Sequence, residues 1–161
     1  MASKLVVSIA DMCVSNDPSA VLITYSLGSC IGVSIYDPVV KVGGLLHLML
    51  PESKIAPDKA EKNPCMFADT GVPLLFKEAY KYGADKKRMI IKIAGGSQVM
   101  DASGFFNIGK RNYMALRKIF WKNDVLINKE DIGGNVNRTM CLEIGTGHVY
   151  LKVSDREEIE L

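Results

Sequence analysis

Ile31-Gly32-Val33-Ser34-Ile35-Tyr36-Asp37-Pro38-Val39-Val40-Lys41-Val42-Gly43-Gly44-Leu45-Leu46-His47-Leu48-Met49-Leu50 is the stretch on which the fold turns. It holds two apolar, β-rich runs, Ile31 to Tyr36 and Val42 to Leu50, on either side of a polar break. Asp37 and Pro38 occupy the first and second positions of the break Asp37-Pro38-Val39-Val40, which suits a type I turn, so the stretch predicts a β-hairpin. Glycines and His47 interrupt the second run, which falls well short of the roughly 20 residues a membrane span needs.

Outward from this hairpin, further strands are predicted at Leu5 to Ile9 and Ala20 to Tyr25, separated by the turn cluster Ser15-Asn16-Asp17-Pro18-Ser19. Residues 51 to 64, with three prolines and many charges, read as a surface loop. Ala68, Val72, Leu75, Phe76 and Ala79 recur at helical spacing between about Cys65 and Tyr82, with Gly83 as the stop and Pro73 in an early turn or at a kink. Arg88 to Ala94 reads as a buried strand ending at Gly95-Gly96. A loop through Phe105-Phe106 then leads to a second helix over Ile108 to Lys122, with Tyr113, Leu116, Ile119 and Phe120 on its apolar face. Val125 to Asn128 is a short strand. Arg138 to Ile144 and His148 to Ser154 flank Gly145-Thr146-Gly147 as a second hairpin.

Strands in sequential hairpins at both ends, with helices between, argue for the α+β class. The expected architecture is a single-domain layered sandwich of mixed or antiparallel β-sheet with two main helices, spanning residues 1–161 and closing on an acidic tail at 155–161. The chain has 161 residues, 48% of them hydrophobic and 24% charged, enough for one core without disulfides or a structural metal. A net charge of +2 is too small to mark a nucleic-acid footprint. The start Met1-Ala2-Ser3-Lys4 lacks the apolar segment of a signal peptide, which predicts a cytoplasmic location. Cys13, Cys30, Cys65 and Cys141 lack the close pairing of a zinc site and read as free thiols. No metal and no cofactor is expected.

Chemistry concentrates at the first hairpin. A turn centred between Pro38 and Val39 sets Cys30 directly opposite His47, with β-carbons about 4.5 to 5.5 Å apart. An imidazole within reach can take a thiol proton and make sulfur a nucleophile. Gly28-Ser29 lets the backbone bend so that main-chain N–H groups near Cys30 face a developing oxyanion. The same spacing fits a buried core thiol beside a satisfied core histidine, and both readings stand at this point. Gly28-Ser29-Cys30-Ile31-Gly32 also matches a nucleophile elbow, but Val33 to Pro38 leaves no room for the helix an elbow requires. Gly95-Gly96 lacks the rest of a phosphate-loop motif and reads as a structural turn or as backbone lining the site. The second helix carries Lys110, Arg111, Arg117, Lys118 and Lys122 and no acidic residue, a solvated face or a dock for an acidic helical partner.

Taken together, Ser26-Leu27-Gly28-Ser29-Cys30, His47-Leu48-Met49-Leu50-Pro51, Lys92-Ile93-Ala94-Gly95-Gly96, Ile108-Gly109-Lys110-Arg111-Asn112, Asp131-Ile132-Gly133-Gly134 and the run from Arg138 to Gly147 resemble the CheD family of chemoreceptor glutamine deamidases. The resemblance implies an enzyme that hydrolyses glutamine side-chain amides on methyl-accepting chemotaxis receptors, releasing ammonia and leaving glutamate. The family's Cys, His and Thr trio maps onto Cys30, His47 and Thr24. Gly95, Gly96 and Asn112 fall in the shared motifs as candidate site-lining residues. The resemblance also implies a CheC-type phosphatase as partner, so a binding module without catalysis is the alternative function; a Cys-His hydrolase of esters or peptides is a third. Ser97 and Gly32 depart from the family, which more often has alanine at both places, and put local geometry in question there.

Overall fold

The first hairpin forms, but its ladder runs one residue further on the first strand than the sequence suggests. In the computed structural model, which describes residues 3–98 and 107–161, Tyr36 pairs with Gly43 and Asp37 with Val42. The loop is therefore Pro38 to Lys41, with Lys41 in the left-handed region at φ 54°. The Asp37 carboxylate explains the longer ladder. It is fully buried, accepts the backbone N–H groups of Val39 (2.9 Å) and Asp85 (2.8 Å), and pairs with Arg88 at 2.8 Å. Anchored in this way, Asp37 is the last ladder residue rather than a free turn corner.

The described strands are β1 (Ser3–Val6), β2 (Asp11–Ser15), β3 (Ala20–Leu27), β4 (Ile31–Asp37), β5 (Val42–Leu48), β6 (Ile90–Gly95), β7 (Ile127–Ile132), β8 (Arg138–Glu143), β9 (Val149–Val153) and β10 (Ile159–Glu160). The helices are α1 (Pro57–Lys62), α2 (Ala68–Tyr80) and α3 (Ile108–Lys122). The strands make two five-stranded sheets, ordered β1-β3-β8-β9-β10 and β2-β5-β4-β6-β7. The pairs β1/β3 and β6/β7 are parallel and the others antiparallel, so both sheets are mixed. The expected α+β layered class holds, with its β layer split in two.

The second sheet is the middle layer, and every residue of β4 and β5 is buried. Because side chains alternate along a strand, Val33, Ile35, Leu46 and Leu48 pack toward α2 and α3, joined there by Leu75, Phe76, Leu116 and Phe120. Tyr36 and Leu45 point the other way, into a second core with Leu22, Leu27, Met140 and Leu142 of the first sheet. Two-sided burial is what makes these strands read as continuous apolar runs.

Several elements differ from expectation. β2 lies where the sequence suggested no strand, between the run Leu5 to Ile9 and the turn cluster Ser15 to Ser19; Ala10, at φ 57°, breaks the chain between β1 and β2, and the short, polar-flanked β2 pairs along β5 at the sheet edge. The proline-rich stretch 51–64 is not simply a loop: it folds into a 3-10 turn at Ser53–Ile55 and α1, which starts on Pro57, where a missing N–H costs nothing. Another 3-10 turn, Pro64–Met66, delays α2 to Ala68. The acidic tail ends in β10, paired with β9. α3 has the predicted bounds. The expected loop through Phe105-Phe106, and the Met1-Ala2 part of the amino-terminal reading, lie outside the described residues. Among those described, no helix is long and apolar enough to cross a membrane.

Candidate active site

Cys30 sits in a bend between β3 and β4, on a loop whose carbonyls are tied down one after another. Ser97 N–H donates to Gly28 O (2.8 Å), Asn112 Nδ2 to Ser29 O (3.0 Å) and Gly96 N–H to Cys30 O (2.9 Å). Asn112, fully buried on α3, also donates to Met49 O (3.0 Å), so one amide joins the cysteine loop to the chain just after His47. Gly95 explains its own identity: at φ 122°, a Cβ there would collide with the Cys30 carbonyl oxygen. Gly95 and Gly96 thus back the cysteine loop by close main-chain contact. The Gly28 N–H is spent on Ser26 O (3.0 Å). This leaves the N–H groups of Ser29 and Cys30 as the loop's candidates for an oxyanion.

His47 pairs with Gly32, not with Cys30; the hairpin's longer ladder moves the register by two residues from the expected one. A two-residue shift keeps the face, because the strand period is two. Cys30 accordingly packs against the core between the sheets, and His47 points into that same layer to meet Thr24 of β3. Both His47 and Thr24 are fully buried, whereas Cys30 is half-buried.

Thr24 Oγ1 lies 2.7 Å from His47 Nδ1 and 2.7 Å from Val7 O. A hydroxyl has one hydrogen, and the carbonyl can only accept. Thr24 therefore donates to Val7 O and accepts from His47, which assigns the imidazole proton to Nδ1. Nε2 is left with its lone pair exposed to the layer and with no hydrogen-bond partner among the described residues, Cys30 Sγ included. Burial lowers the His47 pKa from 6.5 to about 4. Burial also pushes the Cys30 thiol up, against a smaller opposing pull from its own backbone N–H. Both shifts favour neutral forms, so the resting pair is thiol and imidazole rather than an ion pair.

A family model described as CheD chemotactic sensory transduction matches residues 49–153. The chain belongs to the CheD family. It is 60% identical over 150 residues to a protein of Syntrophus aciditrophicus (strain SB) named "Probable chemoreceptor glutamine deamidase CheD 1", covering 93% of this chain and 94% of that one. Relatives named "Probable chemoreceptor glutamine deamidase CheD" are 48% identical in Solibacter usitatus (strain Ellin6076), over 96% of this chain and 92% of the relative, and 42% identical in Syntrophotalea carbinolica (strain DSM 2380 / NBRC 103641 / GraBd1), over 99% of each.

In this CheD chain, sequence reasoning missed the group that supports the cysteine loop from behind. Arg138, only 4% exposed, donates to Ser97 Oγ (2.9 Å), Gly133 O (2.9 Å) and Gly95 O (3.3 Å) and pairs with Asp131 at 2.9 Å. Ser97 Oγ in turn lies 2.7 Å from Val136 O and 3.0 Å from Gly133 O. The Ser97 hydroxyl thus adds a polar link under Gly95-Gly96. At Gly32, Met140 Sδ lies 2.8 Å from where a Cβ would be, so the side chain across the layer fills its space. A signal for Arg138 was present: β8 alternates buried and half-buried, and Arg138 shares the buried parity with Met140 and Leu142. Cys13, Cys65 and Cys141 stand apart from this constellation as free thiols, each raised in pKa first by burial. Among the described residues no cluster of His, Cys, Asp and Glu is placed to hold a metal ion.

Proposed function

We propose that this chain is a chemoreceptor glutamine deamidase, a single cytoplasmic domain over residues 1–161 that hydrolyses glutamine side-chain amides on methyl-accepting chemotaxis receptors. The observation that carries the reading is the buried Nε2 of His47. Thr24 sets its tautomer, it has no partner, and it opens onto the layer that also holds Cys30. A histidine kept only for packing would leave an unpaired buried nitrogen, which costs about 1–3 kcal/mol with nothing gained. This favours catalysis over a binding module with an incidental thiol.

In the proposed reaction His47 Nε2 takes the Cys30 proton as sulfur attacks the carboxamide carbon, and the N–H groups of Ser29 and Cys30 receive the oxyanion. The imidazolium so formed is a strong acid, because burial holds its pKa near 4. It delivers its proton to the departing ammonia, and a thioester remains. Neutral His47 then draws a proton from an attacking water, and glutamate leaves as the thiol is restored. Thr24 orients the ring throughout, through a hydrogen bond that needs no charge. Neither metal nor cofactor enters. A CheC-type phosphatase is the partner this reading carries.

The test is mass spectrometry of a receptor cytoplasmic fragment before and after incubation, where each deamidated glutamine adds roughly one dalton as ammonia is released. Cys30→Ala abolishes both signals and Cys141→Ala keeps them. Full activity in Cys30→Ala ends the proposal, and a cleaved backbone or released alcohol in place of ammonia moves it to peptide or ester hydrolysis.

A further inference from the structure

The outer face of α3 carries cations that form no ion pair among the described residues. Lys110, Arg111, Lys118 and Lys122 line a groove of about 760 Å³ whose apolar lining includes Met114 and Ile119. Among the described residues none of the four pairs with a carboxylate. The acids of the facing wall are already engaged: Glu52 pairs with Lys54 at 3.2 Å, and Asp69 accepts both the N–H (2.9 Å) and hydroxyl (2.8 Å) of Ser53. Arg117 is turned aside, stacked over the Tyr113 ring. The groove therefore keeps a net positive face over an apolar floor.

Two features say what lies there. Arg111, Lys118 and Lys122 follow one another at helical spacing over about 16 Å, which matches carboxylates one and two turns apart on a second helix. The inner face of the same helix holds Asn112, whose amide binds Ser29 O of the cysteine loop and Met49 O, and the groove's lining includes Pro51, two residues beyond Met49.

We propose that this groove docks an acidic amphipathic helix of the substrate protein, the segment flanking the target glutamine, with apolar residues on Met114 and Ile119 and carboxylates against the four cations. The inference rests on the deamidase reading for the identity of its substrate. The groove selects the protein and Cys30 performs the chemistry, so glutamines in a neutral or basic helix are passed over.

The test measures affinity apart from turnover. Binding of a receptor cytoplasmic fragment to Cys30→Ala protein is compared with the same protein also carrying Lys118→Glu and Lys122→Glu. Lys4→Glu, on β1 of the other sheet, serves as a charge control, and circular dichroism verifies folding. The double reversal raises Kd about tenfold or more, and Lys4→Glu leaves it within about twofold. Raising ionic strength from about 0.05 to 0.3 M weakens the parent's binding and has less effect on the reversed variant. An unchanged Kd in the double reversal overturns the proposal. So does retention on vesicles containing phosphatidylglycerol without affinity for the fragment, which assigns the face to a lipid surface. Groove-dependent binding without ammonia release from wild-type protein supports the docking site and removes the catalytic reading; ammonia release with groove-independent binding does the reverse.

Discussion

Thr24→Val removes one hydroxyl and keeps the side chain's shape, which makes it the sharpest probe of the site. Two buried groups lose their partner, the Val7 carbonyl and the His47 Nδ1–H, both now at 2.7 Å from Thr24 Oγ1. An unsatisfied buried group costs about 1–3 kcal/mol, so the variant loses about 2–6 kcal/mol of stability, toward the lower end if the imidazole changes tautomer. That escape has a consequence for catalysis: with the proton moved to Nε2, the nitrogen facing the layer is no longer a base. A general base contributes about 10²–10⁴ in rate, so kcat falls at least about 10²-fold even where protein remains folded. Thr24→Ser keeps the hydroxyl and retains most of the rate. The assays are urea denaturation, ammonia release from a receptor fragment under native conditions, and long-range nitrogen-15 spectra of the ring. In wild type these spectra show a protonated Nδ1 and a bare Nε2. Wild-type kcat in Thr24→Val, or a protonated Nε2 in the unmodified protein, refutes the hydrogen count on which the assignment stands.

Three further outcomes are expected. Gly95→Ala drives a methyl group into the Cys30 carbonyl and forces a residue at φ 122° into strain; activity is lost while chemical denaturation shows a loss of about 1–3 kcal/mol, and an active variant removes Gly95 as the backing of the loop. Arg138→Met leaves the Asp131 carboxylate without its cation and takes one donor each from the Gly95 and Gly133 carbonyls, which keep the Gly133 N–H (2.9 Å) and the Ser97 hydroxyl (3.0 Å), at about 2–4 kcal/mol given that Asp131 is partly exposed; kcat falls with KM nearly constant, and Arg138→Lys restores part of it, whereas full activity in Arg138→Met argues against a positioning role. The His47 pKa, lowered by burial from 6.5 to about 4, means that the unfolded chain binds the proton more readily between those values. Stability is therefore complete above pH 6.5 and declines by about 3 kcal/mol as pH falls toward 4, and the acid limb of kcat/KM lies near 4; a limb near 6.5 contradicts the buried neutral ring.

The elements legible in the sequence are those whose partners are close in the chain or whose pattern is long. α3 declares itself through a fifteen-residue amphipathic period, and β8 and β9 through the glycines of their turn. β2 and α1 were hidden because each is short and carries polar residues or proline, and β2 is stabilised by a distant segment, adding to the edge of β5. The division into two sheets was equally invisible, since alternation marks two buried faces without saying what covers each.

The candidate site divides along the same line. From sequence alone, the period of a strand determined that Cys30 and His47 share a face, and a two-residue error of register left that intact, because side chains return to the same side every second residue. The residue types near Cys30, with glycines where the backbone bends and no neighbouring charge, were also legible. Tertiary structure alone decided the register, through the burial of Asp37 against Arg88, and the ring's tautomer, through a threonine on one sheet and a carbonyl before it. It also brought Arg138 beneath the cysteine loop from a strand more than a hundred residues later in the chain. Local pattern encodes which way a side chain points; which group it meets depends on how separate segments pack, and that is a property of the whole core.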